Sequence, residues 1–423
     1  MSCVGDKPDA ESDRACPTPT PLRILLVADA RSPTTWGWVD SIRSAGVVVL
    51  GVDGLLWPEH RPGSASGNPG PGARQRLRSL AGATPIGLKL VGAVRPVVGL
   101  MLAPVKGRRL RRIVRRTKPD VVHGLRIPFE AVVALVACPP SVPLAVSIWG
   151  NDLTHLAARS CLTRRATCRV LERTDLLFAD CQRDIDLSAS WGLRPAIPTA
   201  VLPGGGGIDL SGLADSDGLG AARLNDRERS GNRFVVNARG ARPYVRNDVL
   251  LDALALMAAD LDPGVRVVFV DSAHDAALRH AVDRHRLRDK IVIMGKRSRP
   301  EVLSLFGRAE VSVSITNQDG TPNTLLEAMA AGAIPVCSDL PSIREWIEHG
   351  GNGFLAAFND PQAVASALRL ALGLSEAERE AIITKNGLIV AARAERGRAG
   401  KQAAEMYHRV LARHDGLAPA ARH

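Results

Sequence analysis

Short unbroken apolar runs recur along this chain, each followed by a longer stretch with helical spacing. RILLVADA, GVVVLGVD, DVVHGL, VPLAVSIW, DLLFADC and IPTAVLP mark six of them between Arg23 and Pro203. Such runs, bounded by turn residues, fit strands buried on both faces of a parallel sheet. Strand–helix alternation predicts a doubly wound α/β domain over residues 21–204. PGGGG and the polar SDGLGAARLNDRERSGN read as a loop and a linker over 205–231. A second set follows: RFVVNAR, VRVVFVD, DKIVIMG, AEVSVSI and AIPVCSD. These predict a second α/β domain over 232–395, with helices starting near Asn247, His274, Pro300, Pro322 and Ser342. The last periodic stretch, AGKQAAEMYHRVLARH within 396–423, is expected to pack back on the first domain. Residues 1–20 are polar and acidic without an apolar signal region, and read as a disordered leader.

Charge sharpens one part of this picture. The net charge of +12 favours anionic partners or a solvated basic surface. Eight of the thirteen residues from Lys106 to Lys118 are basic. The uncharged run before them, Pro96 to Val105, is ten residues and too short to span a bilayer. Leu110, Ile113 and Val114 still give this stretch an apolar face. Segment 86–118 therefore reads as a plain surface helix or as a basic amphipathic helix for an anionic membrane surface. Stacking aromatics, zinc-finger spacings and RNP patterns are missing, so no nucleic acid is expected as a partner. RPGSASGNPGPGARQ at 61–75 reads as a mobile loop. Seven cysteines, none in a C-x-x-C pair, form neither a disulfide framework nor a zinc site and point to a reduced cytosol.

Candidate chemistry gathers in DGTPNTLLEAMAAGAIPV, Asp319 to Val336. Thr321 precedes a proline and is biased to extended backbone. Pro322 suits the first helical turn, with Thr321 as the expected N-cap. Strand AEVSVSI thus ends in a loop carrying Asp319 and Gly320, at the strand end where α/β sheets bind ligands. The helix start offers free N–H groups and partial positive charge, a seat for phosphate. Glu327 lies about 7–8 Å further along the axis, at 1.5 Å per residue. Two carboxylates bracketing an anion seat would pair with hydroxyls. A diphosphate with a sugar at each end, a nucleotide-sugar, supplies both.

The same stretch resembles the E-x7-E signature of retaining glycosyltransferases of family 4, with Asp in place of the first Glu. SDLPSIREWIEHGGNGFL is similar to that family's distal stretch, and RGARPYVRNDVLLDAL to its phosphate segment. PDVVH, SIWGNDL, FADCQRDI and LPGGGGIDL resemble a bacterial branch that makes surface polysaccharides, so the resemblance runs from 21 to 395. It implies the GT-B fold, two Rossmann-like domains facing a central cleft. It also implies roles. Glu327 would accept hydrogen bonds from the nucleotide ribose, and Asp319 would hold donor-sugar hydroxyls. Gly320, Thr321, Asn323 and Thr324 would face the distal phosphate, and Arg239 the diphosphate. The family's second base falls on Val245, so Arg246 or Arg242 would replace it, with Arg246 favoured. Lys296, in the GKR loop, would lie near the base.

The first half departs more from the pattern. The family's strand-end histidine is Trp149 here. Asp152 is either a site residue or a helix N-cap in NDLT, and His123 either faces the cleft or is structural. Gly37 stands weakly for the family's glycine turn. No D-x-D motif stands in a matching context, so no metal is expected and the nucleotide-sugar is a co-substrate with no cofactor beside it. The implied function is hexosyl transfer from a UDP- or GDP-sugar to a glycan or lipid-linked acceptor in cell-surface polysaccharide or glycolipid synthesis. The implied place is the cytoplasm, peripheral on the inner face of the plasma membrane. Asp319 and Trp149 keep two alternatives open: a nucleotide-sugar epimerase or hydrolase, and a catalytically weak nucleotide-sugar-binding protein.

Overall fold

The computed structural model describes residues 21–51, 85–211 and 233–417. The leader at 1–20, the loop at 61–75 and the linker beyond 211 lie outside the described residues. Six parallel strands form the first sheet: β1 (Arg23–Val27), β2 (Val48–Gly51), β3 (Val121–Gly124), β4 (Leu144–Ile148), β5 (Leu176–Ala179) and β6 (Thr199–Val201). Their order is β2-β1-β3-β4-β5-β6. The second sheet holds β7 (Arg233–Asn237), β8 (Val265–Phe269), β9 (Ile291–Ile293), β10 (Val311–Ser314), β11 (Ile334–Ser338) and β12 (Phe354–Ala356). Its order is β12-β11-β10-β7-β8-β9, again parallel throughout.

Both orders reverse direction once, between β1 and β3 and between β7 and β10. Doubly wound sheets bind ligands at that reversal, outside the carboxyl ends of the strands. β4 and β11 are buried at every position, because helices cover both faces of each sheet. One core of the first domain gathers Trp38, Ile42 and Phe178, the other Leu110, Val122 and Leu171. The second domain has a matching pair of cores, around Phe269 and around Phe306.

Three elements depart from the sequence reading. β12 is an extra edge strand, too short at 3 residues to show a period. Helix Pro85–Thr117 is continuous over 33 residues, where the sequence reads as an apolar stretch beside a basic helix. Its Leu110 and Val114 are buried on helix Phe129–Ala137, and all eight basic residues from Lys106 to Lys118 are exposed. Residues 205–211 do not hang free either. Gly205, Gly206 and Gly207 are left-handed, with φ of 82°, 75° and 91°, and press against Thr34, Ser41 and Ala394. Only glycine takes three such residues at that contact distance without strain.

The chain crosses between domains a second time near Glu395. Ile208 pairs with the chain there, through Ile208 N to Ala394 O at 2.7 Å and Arg396 N to Ile208 O at 3.0 Å. Helix Arg396–Leu417 then returns to the first domain, burying Ala399, Ala403, Tyr407 and Val410 in its core.

Candidate active site

A cavity of about 690 Å³ lies between the two sheets. Its walls come from the carboxyl ends of strands: Thr34 after β1, Arg126 after β3, Trp149 after β4, Asp180 after β5, Arg239 after β7 and Asp319 after β10. Both reversal points therefore open into it.

Arg239 and Asp319 form the centre of the second domain's wall. Both are buried, and the guanidinium Nη2 donates to Asp319 Oδ2 in a short ion pair. Arg239 Nη1 also donates to Thr324 Oγ1 at 3.1 Å, near the start of helix Asn323–Ala331. Burial raises the Asp319 carboxyl above the usual carboxylate range, and the Arg239 charge opposes that shift. Arg242 lines the same wall beside Tyr244, with Thr321, Asn323 and Thr324 at the helix start. That helix end adds its unpaired N–H groups to the two guanidiniums, so the wall is suited to a phosphate.

Four buried side-chain atoms on cavity-lining residues lack a hydrogen-bond partner among the described residues: Arg239 Nε, Asn323 Oδ1, Asn151 Oδ1 and Asp180 Oδ1. Buried polar groups are normally paired, so such a cluster signals a polar ligand.

Several expected residues sit elsewhere. Thr321 is not the N-cap; the helix starts at Asn323 after Pro322. Its hydroxyl instead donates to Asp180 O across the cleft and accepts from Trp346 Nε1 at 2.9 Å. Gly320 lies so close to the first domain that a Cβ there would meet Asp180 Oδ2 at 2.5 Å and Gly150 Cα at 2.7 Å. Glu327 lies one turn below the cavity wall and accepts from Arg299 Nε at 2.6 Å. Arg246, favoured over Arg242 from the sequence, turns outward to Asp248 at 2.8 Å and does not line the cavity. Lys296 is exposed and also lies off the cavity wall.

His123 is the largest correction. It is fully buried, with Nδ1 2.7 Å from Tyr407 Oη and Nε2 2.9 Å from Ser147 Oγ. Trp38, Phe178 and Tyr407 surround its ring. Burial lowers its pKa to about 3, so it is neutral at physiological pH. Asp152 is fully buried too, and neither caps a helix nor faces the ligand space. It grips Arg126, with Nη2 at 2.6 Å, and accepts from Trp149 N at 3.0 Å.

Sequence reasoning missed Arg126, Asp180 and Arg183. The first two follow strands β3 and β5, and the strand-end rule would have found them. Arg183 reaches across the cleft to Asp319 O at 2.5 Å while holding Gly150 O at 3.1 Å. Glu345 completes the interdomain contact. Its carboxylate accepts from the N–H groups of Gln182 (2.8 Å) and Arg183 (3.1 Å), the free end of helix Gln182–Ser190 in the other domain. Asp180, Cys181 and Asp184 place their ligand atoms within 4.8 Å of one another. Arg183 already occupies Asp184 and burial pushes the Cys181 thiol up, so this donor set suits a cation poorly.

Part of the second domain matches a known family. Residues 223–387 match the family described as Glycosyl transferases group 1. A GDP-mannose:cellobiosyl-diphosphopolyprenol alpha-mannosyltransferase of Xanthomonas oryzae is 27% identical over 59% of this chain and 64% of its own length. A phosphatidyl-myo-inositol mannosyltransferase of Mycobacterium tuberculosis is 29% identical over 43% of this chain and 46% of its own length. The chain thus spans less than two thirds of these relatives. Among solved structures, Anabaena Alr3699/HepE in complex with UDP aligns over 92% of this chain and all of its own, with a TM-score of 0.65 at 17% identity. The fold is GT-B, as the sequence resemblance implies.

Proposed function

We propose that this chain is a retaining, metal-independent hexosyltransferase of family 4, using a UDP- or GDP-sugar and a glycan or lipid-linked acceptor. The observation that carries the reading is the second domain's wall: two guanidiniums and a helix start converging at the sheet's reversal point. On this reading Arg239, Arg242 and the start of helix Asn323–Ala331 take up the charge that grows on the leaving diphosphate. Asp319, held by Arg239, faces the transferred sugar's hydroxyls. Glu327 takes the ribose hydroxyls after Arg299, a two-fifths exposed side chain, swings off it. A nucleotide-sugar as donor is supported by the names of the relatives and by the UDP bound to the Anabaena protein.

A panel of nucleotide-sugars tests this by melting temperature. The true donor at a hundred times its Kd stabilises the fold by about 2.7 kcal/mol. Glu327→Gln is expected to weaken that donor about tenfold or more, the loss of a charged hydrogen-bond acceptor. No response to any nucleotide would sink the reading.

We place the reaction at the inner membrane face. The support is helix Pro85–Thr117, whose outer face carries exposed Met101, Leu102 and Val105 before Arg108, Arg109 and Arg112. Apolar side chains next to cations fit an anionic lipid surface. Among the described residues, no helix is long and apolar enough to cross a membrane. Changing Arg108, Arg109 and Arg112 together to serine is expected to weaken binding to anionic vesicles on the order of a hundredfold, at about 1 kcal/mol per basic residue. Vesicle binding that is equal for both proteins, or insensitive to lipid charge, rules the surface out.

A further inference from the structure

The proposed donor seat uses the cations of the second domain. Arg126 stands on the opposite wall, directly after β3 at the first sheet's reversal point. Asp152 grips one edge of its guanidinium, through Nη2 at 2.6 Å and Nε at 3.1 Å. Asp152 itself is fully buried and fixed by the Trp149 N–H at 3.0 Å. This two-bond grip sets the plane of the guanidinium. The Nη1 edge has no partner among the described residues, and the side chain is 42% exposed.

A buried carboxylate spent on a half-exposed arginine is a poor source of stability, since its desolvation offsets the attraction. It is a good way to aim a charged fork. What surrounds the fork is also specific. Trp149 puts an aromatic side chain on the same wall, and Asn151 Oδ1 is a buried acceptor without a donor among the described residues. An aromatic side chain, a free acceptor and an oriented guanidinium are the elements that recognise a sugar carrying a phosphate ester.

We infer that Arg126, aimed by Asp152, reads a phosphate or diphosphate ester on the acceptor, with Trp149 and Asn151 holding the attached sugar. The inference rests on the transferase reading for the word acceptor, but the anion site is testable without it. The donor's diphosphate is already met from the second domain, so the two anions sit on opposite walls.

The test titrates the full chain with inorganic diphosphate and with farnesyl diphosphate, each with and without saturating UDP and GDP, by calorimetry and melting temperature. With nucleotide bound, the wild type takes up a further diphosphate. Arg126→Gln weakens that second binding about tenfold or more, and leaves nucleotide affinity unchanged. Arg126→Lys falls between, as a point charge without the fork. The double variant Arg126→Gln, Asp152→Asn removes both charges and keeps a hydrogen-bonded pair, so its loss of anion binding is not a folding effect. Tighter farnesyl than inorganic diphosphate identifies a lipid-borne ester, and equal affinity identifies the anion alone. Equal diphosphate affinity in the wild type and Arg126→Gln overturns the inference. So does a loss of nucleotide affinity in its place, which would put Arg126 on the donor. If no nucleotide binds while diphosphate uptake still depends on Arg126, the proposed function fails and the anion site stands.

Discussion

If the proposed transfer is the reaction, replacing Arg239 with alanine is expected to lower it by about a hundredfold to a thousandfold, the effect of losing one preorganised donor at an oxygen that gains charge. Arg239 is the most buried of the cavity's guanidiniums; Asp319 and Thr324 aim its side chain, and its backbone N–H donates to Asn237 Oδ1. A flexible cation at the same place would not be preorganised. The substitution also strips Asp319 of its partner in a buried setting, which costs about 3–5 kcal/mol if the carboxylate stays charged. Burial already raises the Asp319 carboxyl, and losing Arg239 removes the largest influence that opposes that shift, leaving the Gly320 N–H and the charges of Arg183 and Arg242. Folded Arg239→Ala therefore takes up a proton on Asp319 at a higher pH than the wild type does. A carboxyl whose folded pKa is raised adds stability at low pH, and that stability is lost as pH rises through the folded value. The variant's stability deficit should accordingly be smaller at pH 5 than at pH 8. Pairing Arg239→Gln with Asp319→Asn removes the buried charge and separates fold from function. Transfer by Arg239→Ala within threefold of the wild type would dismiss the electrostatic role.

The strand ends explain which parts of the site were legible in the sequence. Eleven of the twelve strands among the described residues read directly from apolar runs, because a strand covered on both faces must be apolar throughout. The second domain's wall read well for a related reason. Asp319, Thr321 and Asn323 span five residues after one strand, β10, so local spacing places them together. The first domain's wall is assembled from β1, β3, β4 and β5, and its members are scattered from Thr34 to Asp180. No local pattern links Arg126 to Asp152, 26 residues later. Arg246 and Arg242 show the limit of spacing from the other side. Both lie in one loop, and only the direction of the turn sends one to the cavity and the other to Asp248. His123 was ambiguous because a strand of alternating faces points a strand-end residue either to the cleft or into the core. Tyr407, 284 residues away, settles it from the returning C-terminal helix.

That histidine carries the second large expectation. His123→Asn is expected to destabilise the fold by about 3 kcal/mol at pH 7.5, through lost packing and an unpaired buried Tyr407 hydroxyl. The deficit should shrink on acidification, and the sign follows from linkage. Folded His123 stays neutral down to about pH 3, while the unfolded chain takes up a proton near 6.5. Below 6.5 the unfolded state binds more protons, so this group's contribution falls as pH falls. From pH 7.5 to pH 5 the wild type loses about 2 kcal/mol on this account, and the asparagine variant loses none. Asp152, Asp180 and Asp184 have raised values from burial and act in the opposite direction. They are common to both proteins, so the difference between wild type and variant isolates His123. Chemical denaturation of both at pH 7.5 and pH 5 measures it. A deficit independent of pH would mean that His123 titrates normally in the fold, as a residue open to the cleft would. With it buried, the pH profile of transfer should keep the same inflections in His123→Asn. The residue then acts by clamping helix Arg396–Leu417 to the first domain through Tyr407.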